Sequence, residues 1–244
     1  MSKKENKYKL NVEEMAKAGL HFGHKKASVH PNMSPYLYGL RGSIYLIDLE
    51  KTKEKLEEAL DLIGKIVSEN KEILVVGTKV QARELVKEFA QECDLSYVDE
   101  RWIGGTFTNF NVIRKRVNHF KKLEEDKEKG VFDNYTKKEL SGINSELKGF
   151  KRRFGGIKGL EKIPAAVFIF SMKKDFIAVK EARDKGVTII GISDADFNPE
   201  LADCFVPAND DSVASIKYIA EKVKKVILDA KKKAPKIVIE SKTK

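Results

Sequence analysis

The run EILVVGT, residues 72–78, decides the fold. Ile73, Leu74, Val75 and Val76 follow one another without a polar break. A strand with no polar face is covered on both sides, which is the condition of a parallel sheet between two layers of helices. Gly77 then reads as a tight strand-to-helix turn, with a helix over 79–91 and a second strand, LSYVD, at 95–99. Upstream, the β-rich run SIYLID (43–48) leads into a helix in which Leu49, Leu56, Leu60, Ile63 and Val67 share one face. NVEEMAKAG, ahead of it, reads as a short helix with Asn11 as N-cap and Gly19 as its stop.

Downstream the alternation resumes with AAVFIFS (165–171), a helix (174–185), VTIIGIS (187–193), CFVPA (204–208) and a last helix (211–230). Strand and helix in turn at these lengths predict right-handed crossovers and a five-stranded, doubly wound, mainly parallel α/β core.

Residues 108–155 break this rhythm. Phe110, Ile113, Val117 and Phe120 are spaced 3-4-3, and Leu140, Ile143, Leu147, Phe150 and Phe154 are spaced 3-4-3-4. These are heptad seams. With the polar turn DKEKGVFDNYTKK between them, they predict an inserted antiparallel helical hairpin, the alternative being two amphipathic helices lying flat on the sheet. Their other faces are almost wholly charged, which favours a projecting hairpin. The expected organisation is a core of 1–107 and 156–230, the hairpin at 108–155, and a basic C-terminal tail at 231–244.

Charge directs attention to a polyanion. Lys and Arg number 47 against 37 Asp and Glu, a net +10, in a chain whose 41% hydrophobic content suits a folded protein. VIRKRVNHFKK (112–122) and KGFKRRFGGIKG (148–159) lie at the two base ends of the hairpin. Antiparallel pairing brings Arg114, Lys115 and Arg116 toward Lys151, Arg152 and Arg153, and arginine forks bind phosphate oxygens in pairs. The lysine-rich tails MSKKENKYK and AKKKAPKIVIESKTK are of a kind that gains order on a polyanionic surface.

Enzyme signatures are sparse. VVGTK (75–79) has one glycine where a phosphate loop needs several before its lysine, no GxGxxG occurs, and no GxSxG elbow is present. Asp194 and Asp196 in GISDAD read as turn formers before catalytic carboxylates. The competing reading is an α/β enzyme holding a phosphorylated ligand at Gly77–Lys79 and Asp194. A third is a free regulatory RNA-binding protein. HFGH sets His21 and His24 in a loop, where a divalent metal such as zinc or magnesium could be held with Asp194 or Asp203. Cys93 and Cys204 are far apart, in no CxxC pair, and read as ordinary cytosolic thiols. No run approaches the ~20 apolar residues of a membrane span. MSKKENKYKL is followed by no apolar stretch, so no secretory signal is expected.

GLHFGHKKASVHPNMSPYLYGLRGSIYLIDLEKT, VVGTKVQA, RWIGGTFTNF, GVFDNYTKKE, GGIKGLEKIPAAVFIF, AVKEARDKGVTIIGISDAD and PANDD occur in order. Together they resemble the bacterial small-subunit ribosomal protein S-two family over nearly the whole chain. That resemblance implies a flavodoxin-like core with a protruding coiled-coil hairpin, no enzymatic activity and no required cofactor. It implies a cytoplasmic protein at the head–body boundary of the small ribosomal subunit. There it would bind small-subunit ribosomal RNA and neighbouring proteins, join late in assembly and support docking of ribosomal protein S-one. Membrane and small-molecule substrates are not expected. The chain departs from the family at Val29-His30, where Trp-Asn is usual, at Ser171-Met172, where Asp-Pro is common, and at DADFNP (194–199) in place of DTNxDP. The RNA-binding candidates are Lys25, Lys26, Arg41, Arg101, Arg114, Arg116, Arg152, Arg153 and Lys158. In RWIGGTFTNF, Trp102 is expected to pack the joint between third strand and hairpin, Gly104-Gly105 to permit the exit, and Thr108 to cap the helix.

Overall fold

The computed structural model describes residues 7–233. Most of the tail expected at 231–244 lies outside them, as do the first six residues of the N-terminal tail; residues 231–233 continue the last helix.

Five parallel strands form the core: β4 (Ile73–Val76), β5 (Tyr97–Val98), β6 (Ala166–Ile169), β7 (Thr188–Ser193) and β8 (Cys204–Pro207). Their spatial order, β5-β4-β6-β7-β8, puts the first core strand beside the third, the flavodoxin-like arrangement. All four residues of β4 and of β6 are buried. Alternation divides them between two cores. Ile73, Val75, Ala166, Phe168, Ile190 and Ile192 face a layer made by α2 (Leu49–Ser68), α3 (Arg83–Glu92) and α7 (Val213–Lys233). Leu74, Val76, Val167, Ile169 and Ile189 face the other side, over α6 (Phe176–Asp184). Gly77 is required where β4 ends, because a Cβ there would stand 2.6 Å from Val86 Cγ2.

The chain leaves the sheet after β5 and returns at β6. Between them run α4 (Phe110–Glu128) and α5 (Lys137–Phe154). They pack antiparallel: His119 meets Glu146 at 3.7 Å, Lys127 Nζ donates to Asn144, and the Phe120 and Phe150 rings lie 5.9 Å apart. Burial is uneven along the pair. Ile113, Val117, Phe120, Leu147 and Phe154 are buried and continuous with the second sheet face, whereas Leu140 and Ile143 are only half-buried. Thr136 and Glu139 close a capping box at the start of α5.

Two elements depart from the sequence reading. SIYLID does not enter the core sheet. Its β3 (Ile44–Ile47) lies between β1 (Phe22–Lys25) and β2 (Leu37–Arg41) in a separate three-stranded antiparallel sheet. The HFGH segment is therefore mostly strand, not loop. Short, partly exposed strands interrupted by bulges carry too little period-two signal to read. Thr108 does not cap α4 either. Asn109 holds the N-cap position without a side-chain cap bond, and the Thr108 N–H is committed elsewhere.

Candidate nucleic-acid interface

The segment Arg101–Asn109 leaves β5 and must turn sharply to start α4. Gly105, at φ +91°, supplies a conformation that other residues rarely adopt. A single carboxylate holds the turn. Glu181, buried on α6, accepts from Gly105 N at 2.7 Å, Phe107 N at 2.9 Å, Thr108 N at 3.2 Å and Trp102 Nε1 at 3.3 Å. Burial raises the Glu181 pKa, but the amides of Phe107, Gly105 and Thr108 and the Trp102 indole outweigh it and leave the group below its ordinary value. Trp102 itself is buried, edge-on to Phe107 at 4.9 Å. It packs the joint as its position in the sequence suggested.

Glu181 was missed at the sequence level. Its one signal is a glutamate on the apolar stripe formed by Ala178, Val179 and Ala182. Charged residues on such a stripe are rarely buried without partners.

The joint forms one wall of a cationic recess. A cleft of about 490 Å³ is lined by Glu100 through Gly104 and by Gly149, Arg152 and Arg153 of α5. A second, of about 390 Å³, shares Glu100, Arg101, Trp102 and Arg152 and extends to Thr78, Arg83, Lys174 and Asp175. Glu100 lies 3.4 Å from Arg152 and 3.8 Å from Arg83. Arg153 donates to the Gly149 carbonyl, its guanidinium 5.5 Å from the Phe150 ring centre and 5.9 Å from that of Phe154. Of the sequence candidates, this recess gathers Arg101, Arg152 and Arg153. Arg114 and Arg116 are exposed on α4 and do not line it. Lys158, exposed, pairs with Glu124 and lies over Phe120. Lys25, Lys26 and Arg41 are exposed on and beside the small sheet.

At the switch point of the core sheet, where doubly wound folds place ligands, side chains are bound to one another. Thr78 donates to Asp175 through N and Oγ1 at 3.1 and 2.7 Å. Lys79 Nζ contacts Asp210 at 2.6 Å and Asp211 at 2.7 Å, and Ser171 donates to Asp210. Groups that a phosphorylated ligand would need are thus already satisfied internally.

The histidines separate. Gly23 is pressed against the loop after β7, where a Cβ would stand 3.1 Å from that of Ala195. This approach delivers His24 to Asp194 (3.1 Å from Nδ1) and Asp196 (3.0 Å from Nε2), with Asp211 at 3.7 Å. His24, Asp194 and Asp211 offer ligand atoms within 4.8 Å of one another. The Nδ1 contact is close but poorly aligned, and that nitrogen has no hydrogen-bond partner. His21 instead stacks on Phe22 at 4.0 Å. Asp203 accepts from Ile189 N near the start of β7, whereas Asp194 follows its end. The set brought together is therefore His24, Asp194 and Asp211, not His21 and Asp203.

Among the described residues, no helix is long and apolar enough to cross a membrane. The model of one protein family, described as ribosomal protein S2, matches residues 15–230.

Proposed function

This chain belongs to the ribosomal protein S2 family, structural and non-enzymatic constituents of the small ribosomal subunit in translation, and from that premise we propose how it is held there. It binds small-subunit ribosomal RNA through the basic base of the α4–α5 pair, at the head–body boundary. The convergence of Arg101 with Arg152 and Arg153 on one recess carries this reading, since residues distant in sequence meet there with Glu100 as the one carboxylate among the lining residues of that cleft. Binding rests mainly on phosphate contacts and on the shape of folded RNA, because A-form grooves give side chains little access to base edges. The distal part of the pair reaches neighbouring proteins, and the bound protein supports late assembly and the docking of ribosomal protein S-one in the cytoplasm. Sedimentation of a gentle lysate tests it. We expect near-stoichiometric migration with small subunits at low salt and release as salt rises. A mostly free protein at low salt would overturn the reading.

A second reading concerns a divalent cation at His24, Asp194 and Asp211. One imidazole with two carboxylates suits zinc better than magnesium, which prefers oxygen ligands alone. The neighbouring Asp194 carboxylate, with Asp196 and Asp211, pushes the His24 pKa up to about 9, so a cation would have to displace that proton. Elemental analysis of purified protein should find metal that His24→Ala loses. Metal-free protein, or metal retained by His24→Ala, would remove this site.

A further inference from the structure

The two clefts around Arg101 adjoin, because Glu100, Arg101, Trp102 and Arg152 line both, and together they can serve as one trough. We propose that this trough takes an unpaired RNA strand, not the backbone of a duplex; the inference rests on the RNA-binding reading above.

Shape is the first argument. An A-form duplex presents its phosphates on a convex ridge, which touches a recess only at its rim. A strand free of pairing can bend into it, and each cleft falls within the roughly 300–1,000 Å³ of pockets that enclose a ligand.

Chemistry is the second. Arg101 lies in both clefts, so its guanidinium can serve phosphates on either side. Lys174 stands in one cleft and Arg153 in the other. Arg153 is held by the Gly149 carbonyl and lies over two phenylalanine rings while remaining exposed. A guanidinium plane ordered in this way is a platform for an unstacked base, which only a single strand offers. Glu100 holds Arg152 at the wall in the absence of RNA, and a phosphate must compete with that contact.

The floor permits a steric test. Gly104 lines the trough, yet a Cβ added there meets nothing within 4 Å. Gly104→Leu should fill the recess without disturbing the fold or the charge. Arg101→Ala removes the shared cation at an exposed position.

The experiment compares the full chain's affinity for a short fluorescent oligouridylate and for a blunt RNA duplex at one salt concentration. We expect the oligouridylate to bind about tenfold tighter, and both substitutions to erase that preference, Gly104→Leu with little change in duplex affinity and Arg101→Ala with a smaller loss for the duplex than for the oligouridylate. Equal affinity for the two RNAs, or a preference that survives both substitutions, would overturn the trough while leaving RNA binding intact. Binding to neither RNA would overturn the trough and the RNA-binding reading together.

Discussion

Replacing Glu181 by alanine should release the start of α4 from the core and destabilise the protein by about 3–4 kcal/mol. The carboxylate accepts from three backbone amides and an indole. The buried donors, Phe107 N and Trp102 Nε1, cost about 1–3 kcal/mol each when stripped of their acceptor, while water can reach the part-buried amides of Gly105 and Thr108 and recovers most of their share. Glu181→Gln keeps one acceptor oxygen but turns an NH₂ group toward the remaining donors, so it should fall between wild type and alanine. Urea unfolding reads the size of the effect, and hydrogen exchange at Gly105, Phe107 and Thr108 shows whether the loss is local. An unchanged midpoint for Glu181→Ala would mean that the joint is anchored by something else.

The same group makes a pH prediction. Its folded pKa lies below the ordinary glutamate value. Its contribution to stability is therefore complete above that ordinary value and is lost as the pH falls through the lower folded one. Wild type should lose stability across that acidic window more steeply than Glu181→Gln. Parallel acid profiles for the two would contradict the assignment.

Trp102→Ala is the second large effect, about 3–5 kcal/mol for emptying a buried indole site. It removes the edge-on contact with Phe107 and one of the four donors to Glu181. Because the two side chains share that bond, the double variant with Glu181→Ala should cost less than the sum of the single ones. The functional consequence reaches further. Trp102 lines both clefts, so a loosened joint displaces Arg101 from Arg152 and Arg153. Small subunits from cells carrying Trp102→Ala should contain less of this protein. Normal occupancy would show that the joint does not control binding.

Much of the architecture was legible because it is written in local periodicity. Unbroken apolar runs such as ILVV at 73–76 can be satisfied only between two layers, and heptad spacing at 110–120 and 140–154 fits only helices with an apolar seam. The small sheet was not legible, since its bulged strands leave Phe22, Tyr38, Leu40 and Ile44 exposed and show no clean alternation. Of the metal candidates, His24 and Asp194 came together while His21 and Asp203 did not, because partners across the fold depend on how Gly23 meets the loop after β7.

From the sequence alone came the parallel α/β core, the two seamed helices between the runs LSYVD and AAVFIFS, the excess of positive charge and the family. Each follows from spacing, composition or motif order, which are properties of the chain read along its length. Only the tertiary structure made Glu181 the anchor of the joint, put Arg101 in one recess with Arg152 and Arg153, and satisfied the switch point with Thr78, Lys79, Asp175 and Asp210. The reason is physical. A carboxylate can be buried only where donors from elsewhere in the chain converge on it, and that convergence, unlike periodicity, has no local signature.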